Sequence, residues 1–529
     1  MPDAFSYPGV YVQELPAAQA TIVGVSTSST AFIDCFKRGP MNVATQVTSW
    51  SAFAKIFGGL SATSEASYGV QQFFANGGNI AWIVRIAGSA TAPTSATLVL
   101  DSSDDPPIPA LAVNAYSPGS WANSLEVVAT SVATDATRFN LLIQQVQANS
   151  SGNITVSSEA YNNLSMNSAD PLYAPAVVNA ASLLVSLVDP NAASATLAGK
   201  LPALTTPTAA GIPSTAWQPL SGGGDGAAPD SAGLLGDGVS TGLYALTGIA
   251  PQIFNLLCIP AISKLGLAAA AFTTLVTTIQ QFCTAQGAFF LIDPPVSGAA
   301  TAATMASWIA TAGIASANAA IYWPQVQIAD PLARGAMRNV GPSGTVAGLY
   351  AGIDAARGIW KAPAGVDATL AGAVPVVSIS DQDNGILNPL GVNVIRTFPL
   401  YGAVIWGART LVGADALASQ WKYVPVRRTA LYIEQSLQQG LRWAVFEGND
   451  EPLWAQIRAS VDDFMSQLFR QGAFEGSTPQ QAYLVKCDSD TTTQSDIDRG
   501  IVNILVGFAP LKPAEFVVLQ IQQLAGQAS

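Results

Sequence analysis

In the first part of the chain, short apolar runs alternate with stretches whose apolar residues recur at helical spacing. The run from Thr21 to Phe36 is rich in β-branched and aromatic residues and predicts a strand. Residues 49–57 and 68–75 carry apolar side chains at helical spacing, and glycines follow soon after both stretches. Residues 80–86 form a nearly continuous apolar run that is typical of a buried strand. The pattern therefore predicts a β-α-α-β unit.

From about Leu246 onwards, apolar runs and helical stretches alternate regularly. The predicted elements are strands at 254–259, 288–293 and 319–326, and helices at 267–286 and 301–311. Strands that are separated by helices form parallel sheets through right-handed crossovers. We therefore expect an α/β domain with a largely parallel sheet.

The last part of the chain has the sharpest pattern. A helix is predicted from Val426 to Phe446. A second predicted helix carries an apolar stripe of Trp454, Ile457, Val461, Phe464 and Leu468. Short strands are predicted at 482–487, 500–508 and 515–521. This combination predicts an α+β domain whose aromatic stripe lies in its core.

Composition changes between the two helix-containing parts. Residues 89–245 are rich in Ala, Ser, Thr, Pro and Gly, with strand-like segments and one helix predicted at 174–188. We interpret them as a β-rich insertion domain that ends in a flexible glycine-rich connection at Gly222–Gly226. The fold class is a multidomain α/β and α+β protein with extended terminal arms. Its predicted segments are an N-terminal arm (1–20), the N-terminal part of the core (21–95), an outer insertion domain (96–245), an α/β domain (246–405), a C-terminal α+β domain (406–514) and a C-terminal arm (515–529).

Composition also favours a folded protein that associates with further copies. Apolar residues make up 49% of the 529 residues and charged residues only 11%, which suits a subunit whose surface is partly covered by neighbours. The net charge of −12 argues against binding to nucleic-acid phosphates. No apolar run approaches the roughly 20 residues of a membrane span, and the first residues lack the pattern of a signal peptide. We therefore expect cytoplasmic synthesis and no direct membrane insertion.

The absence of histidine limits the chemistry that the chain can perform. It excludes Ser-His-Asp and Cys-His catalysis and most zinc sites. Carboxylate pairs, lysine nucleophiles and Mg²⁺ sites stay open on residue types alone, and no cofactor or metal site is predicted. Cys35, Cys258, Cys283 and Cys487 form no C-x-x-C pair, so we expect buried, reduced thiols.

Three short motifs have both a chemical and a structural interpretation, and the residues favour the structural one. Asp381–Gly385 resembles the start of a calcium loop, but Val392 stands where such a loop needs glutamate, so a polar loop is predicted. Ser343 lacks the spacing of a nucleophile elbow and is predicted to cap the following helix. Asp293 ends a predicted strand before two prolines and is interpreted as part of a structural turn.

Three blocks of sequence together carry a family resemblance. They are Tyr7–Glu14 with Thr21–Ser28 and Arg38-Gly39-Pro40; Phe73–Gly78; and a C-terminal group of Arg427-Arg428, Trp443–Glu447, Asn449 and Ala509–Phe516. In these blocks the chain resembles the phage tail sheath family, which contractile injection systems share. The blocks lie near both ends of the chain, whereas residues 130–245 match least.

The resemblance implies an assembly role rather than an enzymatic one. The family's middle domain is a subtilisin-like α/β scaffold without protease activity, and the family has no catalytic residue or cofactor to transfer. The implied partners are further copies of the chain, in helically stacked hexameric rings, together with an inner tube and baseplate and cap proteins. The implied sheath contracts to drive the tube through a membrane. It belongs to a virion tail or a phage tail-like particle that is assembled in the bacterial cytoplasm.

Two alternatives to a sheath subunit stay open on the sequence. One is another structural part of the same machine, such as a baseplate or cap protein, and the other is a hydrolase-like enzyme. A phage tail and an injection system are both compatible with the sheath interpretation.

The terminal arms are the predicted contacts between subunits. The contact residues are Val10, Tyr11 and Val12 in the N-terminal arm and Glu515, Phe516, Val517, Val518 and Leu519 in the C-terminal arm. A C-terminal strand with apolar residues on both faces needs cover on both sides. The sheet of a neighbouring subunit can provide that cover through strand addition.

The resemblance further implies that the C-terminal domain touches the inner tube. Its helix pair is expected to expose Arg427, Arg428, Arg442, Arg458 and Arg470. We take Arg458 and Arg470 as candidate tube contacts. Salt should weaken such exposed charge pairs because it screens them.

Overall fold

The computed structural model of the chain describes residues 21–149, 152–194, 196–209, 211–296, 299–518 and 520. The chain divides into two compact units. The larger comprises residues Ser26–Arg427, and the smaller comprises Met1–Val25 with Arg428–Ser529. The predicted contact residues Val10, Tyr11, Val12 and Leu519 lie outside the described residues.

The larger unit holds most of the secondary structure, in three successive groups. The first group is β1 (Thr30–Asp34), β2 (Thr45–Val47), α1 (Trp50–Phe57), α2 (Glu65–Ala75) and β3 (Ala81–Arg85). The second is β4 (Thr97–Asp101), β5 (Pro109–Ala115), β6 (Leu125–Ser131), β7 (Phe139–Asn149), β8 (Gly152–Leu164), α3 (Ala174–Ala181), β9 (Val185–Val188) and β10 (Gln218–Pro219). The third is α4 (Ser231–Leu235), β11 (Leu256–Cys258), α5 (Ala269–Gln286), β12 (Phe289–Ile292), α6 (Ala302–Ala312), β13 (Ala319–Trp323), β14 (Val326–Asp330), β15 (Ala336–Val340), α7 (Ser343–Arg357), β16 (Val374–Pro375), α8 (Asp381–Leu387), β17 (Val392–Phe398) and β18 (Gly402–Trp406).

An eight-stranded sheet organises the first and third groups, in the order β18-β17-β13-β12-β11-β1-β3-β2. All pairs from β17 to β3 are parallel, and only the edge strands β18 and β2 run antiparallel. The prediction of a largely parallel sheet is therefore confirmed. Every residue of β1, β3, β12 and β13 is buried, as expected for parallel strands covered on both faces.

The N-terminal β-α-α-β unit belongs to this same sheet, because β1 pairs directly with β11. The sequence pattern predicts the two parts separately, since a contact between strands so far apart in the chain leaves no local signal. The predicted helices at 267–286 and 301–311 are confirmed as α5 and α6, with ends shifted by one or two residues.

The second group, which lies between β3 and β11 in the sequence, forms two β-sheets separate from the central sheet. It consists of a four-stranded sheet, β10-β6-β7-β8, and a three-stranded sheet, β4-β5-β9. The two sheets share their own apolar core, which runs from Ala96 to Leu220. Leu234, Leu243 and Leu246 instead pack in the core of the central sheet. Residues near the end of the predicted insertion thus contribute to the central core.

Two local predictions for this region are wrong. The helix predicted at 174–188 ends at Ala181, because the Ser182 hydroxyl accepts hydrogen bonds from the Leu184 and Val185 amides and turns the chain into β9. The glycine-rich segment at 222–226 is a tied connection, not a free one. The Gly224 amide donates to the Thr94 carbonyl, and Asp225 accepts from Ser120.

The smaller unit is built on two long helices. Its elements are α9 (Val424–Gly440), which continues from the larger unit, α10 (Glu451–Arg470), α11 (Pro479–Ala482), β19 (Tyr483–Lys486), α12 (Gln494–Asp498) and β20 (Leu505–Phe508). The apolar stripe of α10 from Trp454 to Leu468 is buried as predicted. Among the described residues, none of the helices is long and apolar enough to cross a membrane.

The helix predicted as far as Phe446 ends at Gly440. Ile22 fills the space beside Gly440, where a Cβ would stand 2.7 Å from its side chain. The chain then makes a short 3₁₀ turn at Arg442–Ala444 and reaches Phe446 with a left-handed φ of 72°. Val445, which the predicted helix includes, is exposed.

Candidate assembly surface

Strands β19 and β20 form a two-stranded antiparallel sheet in which Tyr483 pairs with Phe508 and Lys486 with Leu505. Within the described part of the chain, no third strand joins this sheet. Leu484 and Leu505 are 54% and 52% exposed. Two strands alone are marginally stable in water, and their outer edges carry backbone groups that can pair with a further strand. The sheet is therefore suited to accept strands from elsewhere.

The rest of the smaller unit holds this ribbon in place. The ring of Phe474 contacts Tyr483 and Phe508, with centroid distances of 6.2 and 5.6 Å. Arg458, on α10, donates a hydrogen bond to the carbonyl of Cys487 at the end of β19. These contacts fix the ribbon to a helix with a buried apolar face.

The segment after Pro510 is the predicted C-terminal strand, and its described residues form no strand within the chain. Phe516, Val517 and Val518 are 75%, 82% and 79% exposed. Three consecutive large apolar residues that are exposed to solvent are typical of a surface that another chain covers. The role of Glu515 to Leu519 as a strand between subunits stays a prediction.

The turn between α9 and α10 presents a second apolar feature. Val445 and Phe446 are both exposed. The left-handed φ of 72° at Phe446 is rare for an aromatic residue. Asn449 fixes the turn, since its side chain donates to the Ile501 carbonyl at 3.1 Å and accepts from the Trp454 indole at 2.9 Å. The sequence pattern missed this turn because its apolar residues extend the helical period of α9.

The structure separates the five arginines that are expected to be exposed. Arg428 is buried together with the next two residues of α9, Thr429 and Ala430, which contradicts that expectation. Arg427 is half-buried, stacks 4.8 Å from the Trp421 ring and donates to Asn318. Arg442 and Arg470 are exposed.

Arg458 is already engaged by its own chain. In addition to its bond with Cys487, it lies 3.0 Å from the carboxylate of Glu451. Asp462 and Asp463 are exposed on the same helix as Arg470, so this side of α10 carries both signs of charge. Whether Arg458 or Arg470 contacts a tube stays a prediction.

The buried Asp293, directly after β12, is bonded to Ser343 at the start of α7, and the capping role predicted for Ser343 is wrong. Pro342 occupies the cap position of α7. The Ser343 hydroxyl donates to Asp293 Oδ2 at 2.6 Å, and its amide donates to Oδ1 at 2.9 Å. Burial raises the pKa of Asp293 to about 6, against the opposing effect of these hydrogen bonds. The Ser343 hydroxyl is thus directed to a carboxylate inside the protein.

A second buried acid, which the sequence pattern missed, lies two strands away. Asp34 ends β1 and accepts hydrogen bonds from the Ser64 hydroxyl and from the amides of Ala66 and Cys35, at 2.8 to 2.9 Å. Burial raises the pKa of Asp34 to about 6. Nearby, Glu65 forms ion pairs with Lys264 at 2.7 Å and Arg338 at 2.6 Å. A single aspartate at a strand end has no distinguishing sequence signal.

The remaining motifs serve structure. Asp381–Leu387 is a helix, α8, whose cap Ser380 exchanges hydrogen bonds with Asp383, so the predicted polar loop is wrong. Asp383 at the third helical position completes a capping box that stabilises the helix start. Cys258, Cys283 and Cys487 are buried free thiols, as predicted, and Cys35 is half-buried. Among the described residues, no group of acidic or cysteine side chains is arranged to hold a metal ion.

Family comparisons match the two parts of the chain that contain these features. Residues 237–411 match the family model of the phage tail sheath protein central domain. Residues 418–523 match the model of the phage tail sheath C-terminal domain. The second match includes β19, β20, the Val445–Phe446 turn and the exposed segment from Glu515 to Val518.

A curated relative and two solved structures are also similar to the chain. A putative prophage major tail sheath protein of Pseudomonas aeruginosa (strain UCBPP-PA14) is 29% identical over 197 residues, which cover 36% of this chain and 48% of that protein. The alignment thus spans about half the length of the relative.

The solved structures share the fold along nearly the whole chain. The sheath complex of an extracellular contractile injection system (PVC) in the contracted state has a TM-score of 0.55, with 21% identity and 98% of both chains covered. The helical sheath of the anti-feeding prophage in the contracted state has a TM-score of 0.54, with 22% identity, covering 98% of this chain and 100% of that one.

Proposed function

Because the chain belongs to the phage tail sheath family, we propose that it is the structural subunit of a contractile sheath. In this proposal, subunits polymerise around an inner tube as stacked hexameric rings, and contraction drives the tube through a target membrane. In the same proposal, the α/β middle domain (246–405) is a subtilisin-like scaffold without protease activity. Baseplate and cap proteins are the further partners, and assembly takes place in the bacterial cytoplasm.

One observation carries the proposal, namely the combination of an open β19–β20 sheet with an exposed apolar segment in the same unit. Phe516, Val517 and Val518 form no strand with their own chain. Leu484 and Leu505 are exposed on a ribbon that no third strand of the described residues joins. Donation of the segment to a neighbouring copy satisfies both features, and such head-to-tail contacts generate open helical polymers.

Strand exchange also explains how a sheath can contract without falling apart. Backbone hydrogen bonds between a terminal arm and a neighbour's sheet can be preserved when the compact bodies rotate relative to each other. The arms Val10–Val12 and Glu515–Leu519 would act as these connections. The extended state is then a kinetically trapped arrangement that relaxes to better-packed subunits.

Imaging of the overexpressed protein by negative-stain electron microscopy tests the proposal. The expected result is striated tubes or cogwheel rings, formed without other proteins. A monodisperse monomer at high concentration contradicts it. A baseplate or cap protein would add to the end of a tube without forming regular tubes alone, so the same images separate that alternative.

A tube protein that copurifies with the particles tests the second part of the proposal. Loss of copurification at high salt, with the sheath intact, indicates a contact dominated by exposed charges. Neighbouring genes distinguish the two types of particle. Capsid and terminase genes indicate a phage, whereas a toxin cargo with an AAA ATPase gene indicates an injection system.

A further inference from the structure

Two buried carboxylates lie at the carboxyl ends of two parallel strands in the central sheet. Asp34 is the last residue of β1, and Asp293 directly follows β12. These parallel strands flank β11, so their carboxyl ends lie on one side of the sheet. Asp34 is fully buried and Asp293 is 3% exposed. Neither residue takes part in the proposed assembly surface.

Each carboxylate meets the start of a helix and a serine hydroxyl. Asp34 accepts from the hydroxyl of Ser64, the cap of α2, at 2.9 Å and from the Ala66 amide of its first turn. Asp293 accepts from the hydroxyl and the amide of Ser343, the first residue of α7. In both sites, one carboxylate oxygen faces a hydroxyl that can donate or accept a hydrogen bond.

The two helices that are held in this way also pack against each other. Gly344 of α7 lies against the backbone of Gly69 in α2, and a Cβ on Gly348 would stand 2.5 Å from the Phe73 carbonyl oxygen. The backbones approach this closely because Gly69 and Gly344 both lack a side chain and Gly348 lacks one where it meets the Phe73 backbone. The two acids therefore fasten one rigid helix pair to one edge of the sheet.

The serine partners allow each site to hold a proton without losing a hydrogen bond. A neutral carboxylic acid can donate its own O–H to the serine oxygen, and the serine hydroxyl then turns away. The ionised form keeps its bonds but leaves a charge buried in a low dielectric, which is unfavourable. Burial is the leading cause that raises the pKa of both acids to about 6.

The surrounding charges do not neutralise the two acids. Glu65 is a further negative neighbour of both, and its own charge is matched by Lys264 and Arg338. The Tyr68 hydroxyl donates a hydrogen bond to Asp330, and Asp330 lies 3.7 Å from Arg338.

The neighbouring thiols carry no charge either. Cys35 lies beside Asp34 and Cys258 beside Asp293, and burial raises the pKa of both thiols, so they stay neutral. Arg85, near Cys35, donates its hydrogen bonds to the carbonyls of Phe36 and Gly39.

We propose that Asp34 and Asp293 form a two-site proton-binding clamp that fastens the α2–α7 helix pair more tightly to the sheet as the pH falls from neutral to mildly acidic. The sign follows from the direction of the shift. An acid that binds its proton more tightly in the folded state adds stability below its ordinary pKa, and this contribution is lost as the pH rises through about 6. The clamp makes the rigid part of the subunit responsive to pH.

Hydrogen exchange measured by mass spectrometry tests the proposal on the full-length protein. After correction for the intrinsic exchange rate, protection of the α2 and α7 peptides should rise about tenfold per acid between about pH 7 and about pH 5. Asp293→Asn is the decisive variant, because an asparagine amide can donate to Ser343 Oγ and so imitates the protonated acid. In this variant, α7 should be about tenfold more protected at neutral pH than it is in the wild type, and its pH dependence should fall about tenfold, to the part that Asp34 contributes.

Asp463→Asn serves as the matched control, since Asp463 is exposed on α10. This variant should respond to pH as the wild type does. Unchanged protection of α2 and α7 across the pH range in the wild type overturns the proposal. A wild-type pH response that persists in Asp293→Asn removes Asp293 from the clamp and equally contradicts it. Asp34→Asn is less informative, because its amide would face the Ala66 N–H.

Discussion

Gly348 on α7 faces the backbone of Phe73 on α2, so that a Cβ at this position would stand 2.5 Å from the Phe73 carbonyl oxygen. No side chain fits there unless the two helices separate. Gly348→Ala should therefore lower the free energy of unfolding by about 1–3 kcal/mol, the usual cost of overpacking a tight contact. Chemical denaturation of the unassembled subunit measures the change.

The matched control is Gly385→Ala in α8. Gly385 is also helical, but nothing lies within 4 Å of the space that a Cβ would occupy. Alanine should therefore raise the free energy of unfolding, by up to about 1 kcal/mol, through helix propensity. If both variants change the free energy of unfolding in the same direction, the close packing of α2 on α7 is not what determines the stability change in Gly348→Ala.

The insertion should be removable without unfolding the subunit if only the residues around its own core are deleted. The amide of Gly88 donates to the Ala227 carbonyl at 2.9 Å, so these two residues already pair across the base of the insertion. Replacement of residues 89–226 by an Asn-Gly turn should preserve folding, because that dipeptide closes antiparallel strands. If the insertion lies on the outer wall, the shortened subunit should also polymerise, as electron microscopy would show.

A longer deletion that joins Gly88 to Leu246 is the contrasting variant. It removes Leu234 and Leu243, which belong to the core of the central sheet. Loss of each large core side chain costs about 2–5 kcal/mol, so this variant should be insoluble or unfolded by circular dichroism. A shorter deletion that folds but forms no rings or tubes would show that the insertion takes part in assembly.

The sequence predicts those parts of the fold that leave a local period. The stripe from Trp454 to Leu468 identifies α10, and the continuous apolar run of β12 identifies a buried strand. The pairing of β1 with β11 is not predictable in this way, because the intervening insertion separates the partners in the chain. The packing of Leu234 in the central core is not predictable either, because its partners lie far away in the chain and the surrounding segment is rich in small residues.

The candidate surface is predictable only in part, for a related reason. Phe516, Val517 and Val518 stand out in the sequence as a β-prone run. Phe446 does not, since it continues the apolar spacing of α9, and only the backbone reveals its left-handed conformation. Asp34 and Ser343 acquire their roles from partners that lie elsewhere in the chain.

Substitutions at Phe446 can separate backbone strain from docking. Phe446→Gly should raise the free energy of unfolding by about 1 kcal/mol, because glycine adopts a positive φ without strain. Phe446→Ala keeps the strain and removes only the ring. If the exposed ring contacts a neighbour, both variants should weaken polymerisation in sedimentation, whereas only the glycine variant should gain stability. Polymerisation unchanged in both would show that the ring stays in solvent.

The two candidate arginines should behave differently on charge reversal. Arg458→Glu removes the donor to the Cys487 carbonyl and places like charges beside Glu451. It should lower the free energy of unfolding by about 1–3 kcal/mol. Arg470→Glu, on an exposed side chain, should change stability by less than about 0.5 kcal/mol.

Tube binding is then measured on Arg470→Glu, whose fold should be intact. Reduced copurification of the tube at low salt supports a contact, and Arg499→Glu, an exposed arginine outside α10, is the control. Copurification equal to that of the wild type removes Arg470 from the candidates. A loss seen only with Arg458→Glu reports the damaged fold of the unit rather than a tube contact.

The C-terminal arm should be needed for polymerisation but not for folding of the subunit. A subunit truncated before Glu515 should keep its circular dichroism spectrum, because the described residues from 515 to 518 form no strand within the chain. It should form no tubes, since the donor strand for the neighbouring copy is missing. Val518→Pro should have the same effect, because proline removes a ladder hydrogen bond. Gln527→Pro, outside the predicted strand at 515–521, should polymerise normally.

A mixing experiment distinguishes a missing donor from general damage. The truncated subunit keeps β19 and β20, so it should still accept an arm from the wild type but offer none in return. A minor fraction of truncated protein should therefore shorten wild-type tubes out of proportion to its amount, as measured by sedimentation. If truncated subunits leave the wild type unaffected, or form tubes themselves, the arm is not the connection between subunits. In head-to-tail growth, every subunit must donate an arm and accept one. Only a subunit that accepts an arm but cannot donate one should therefore shorten wild-type tubes in this way.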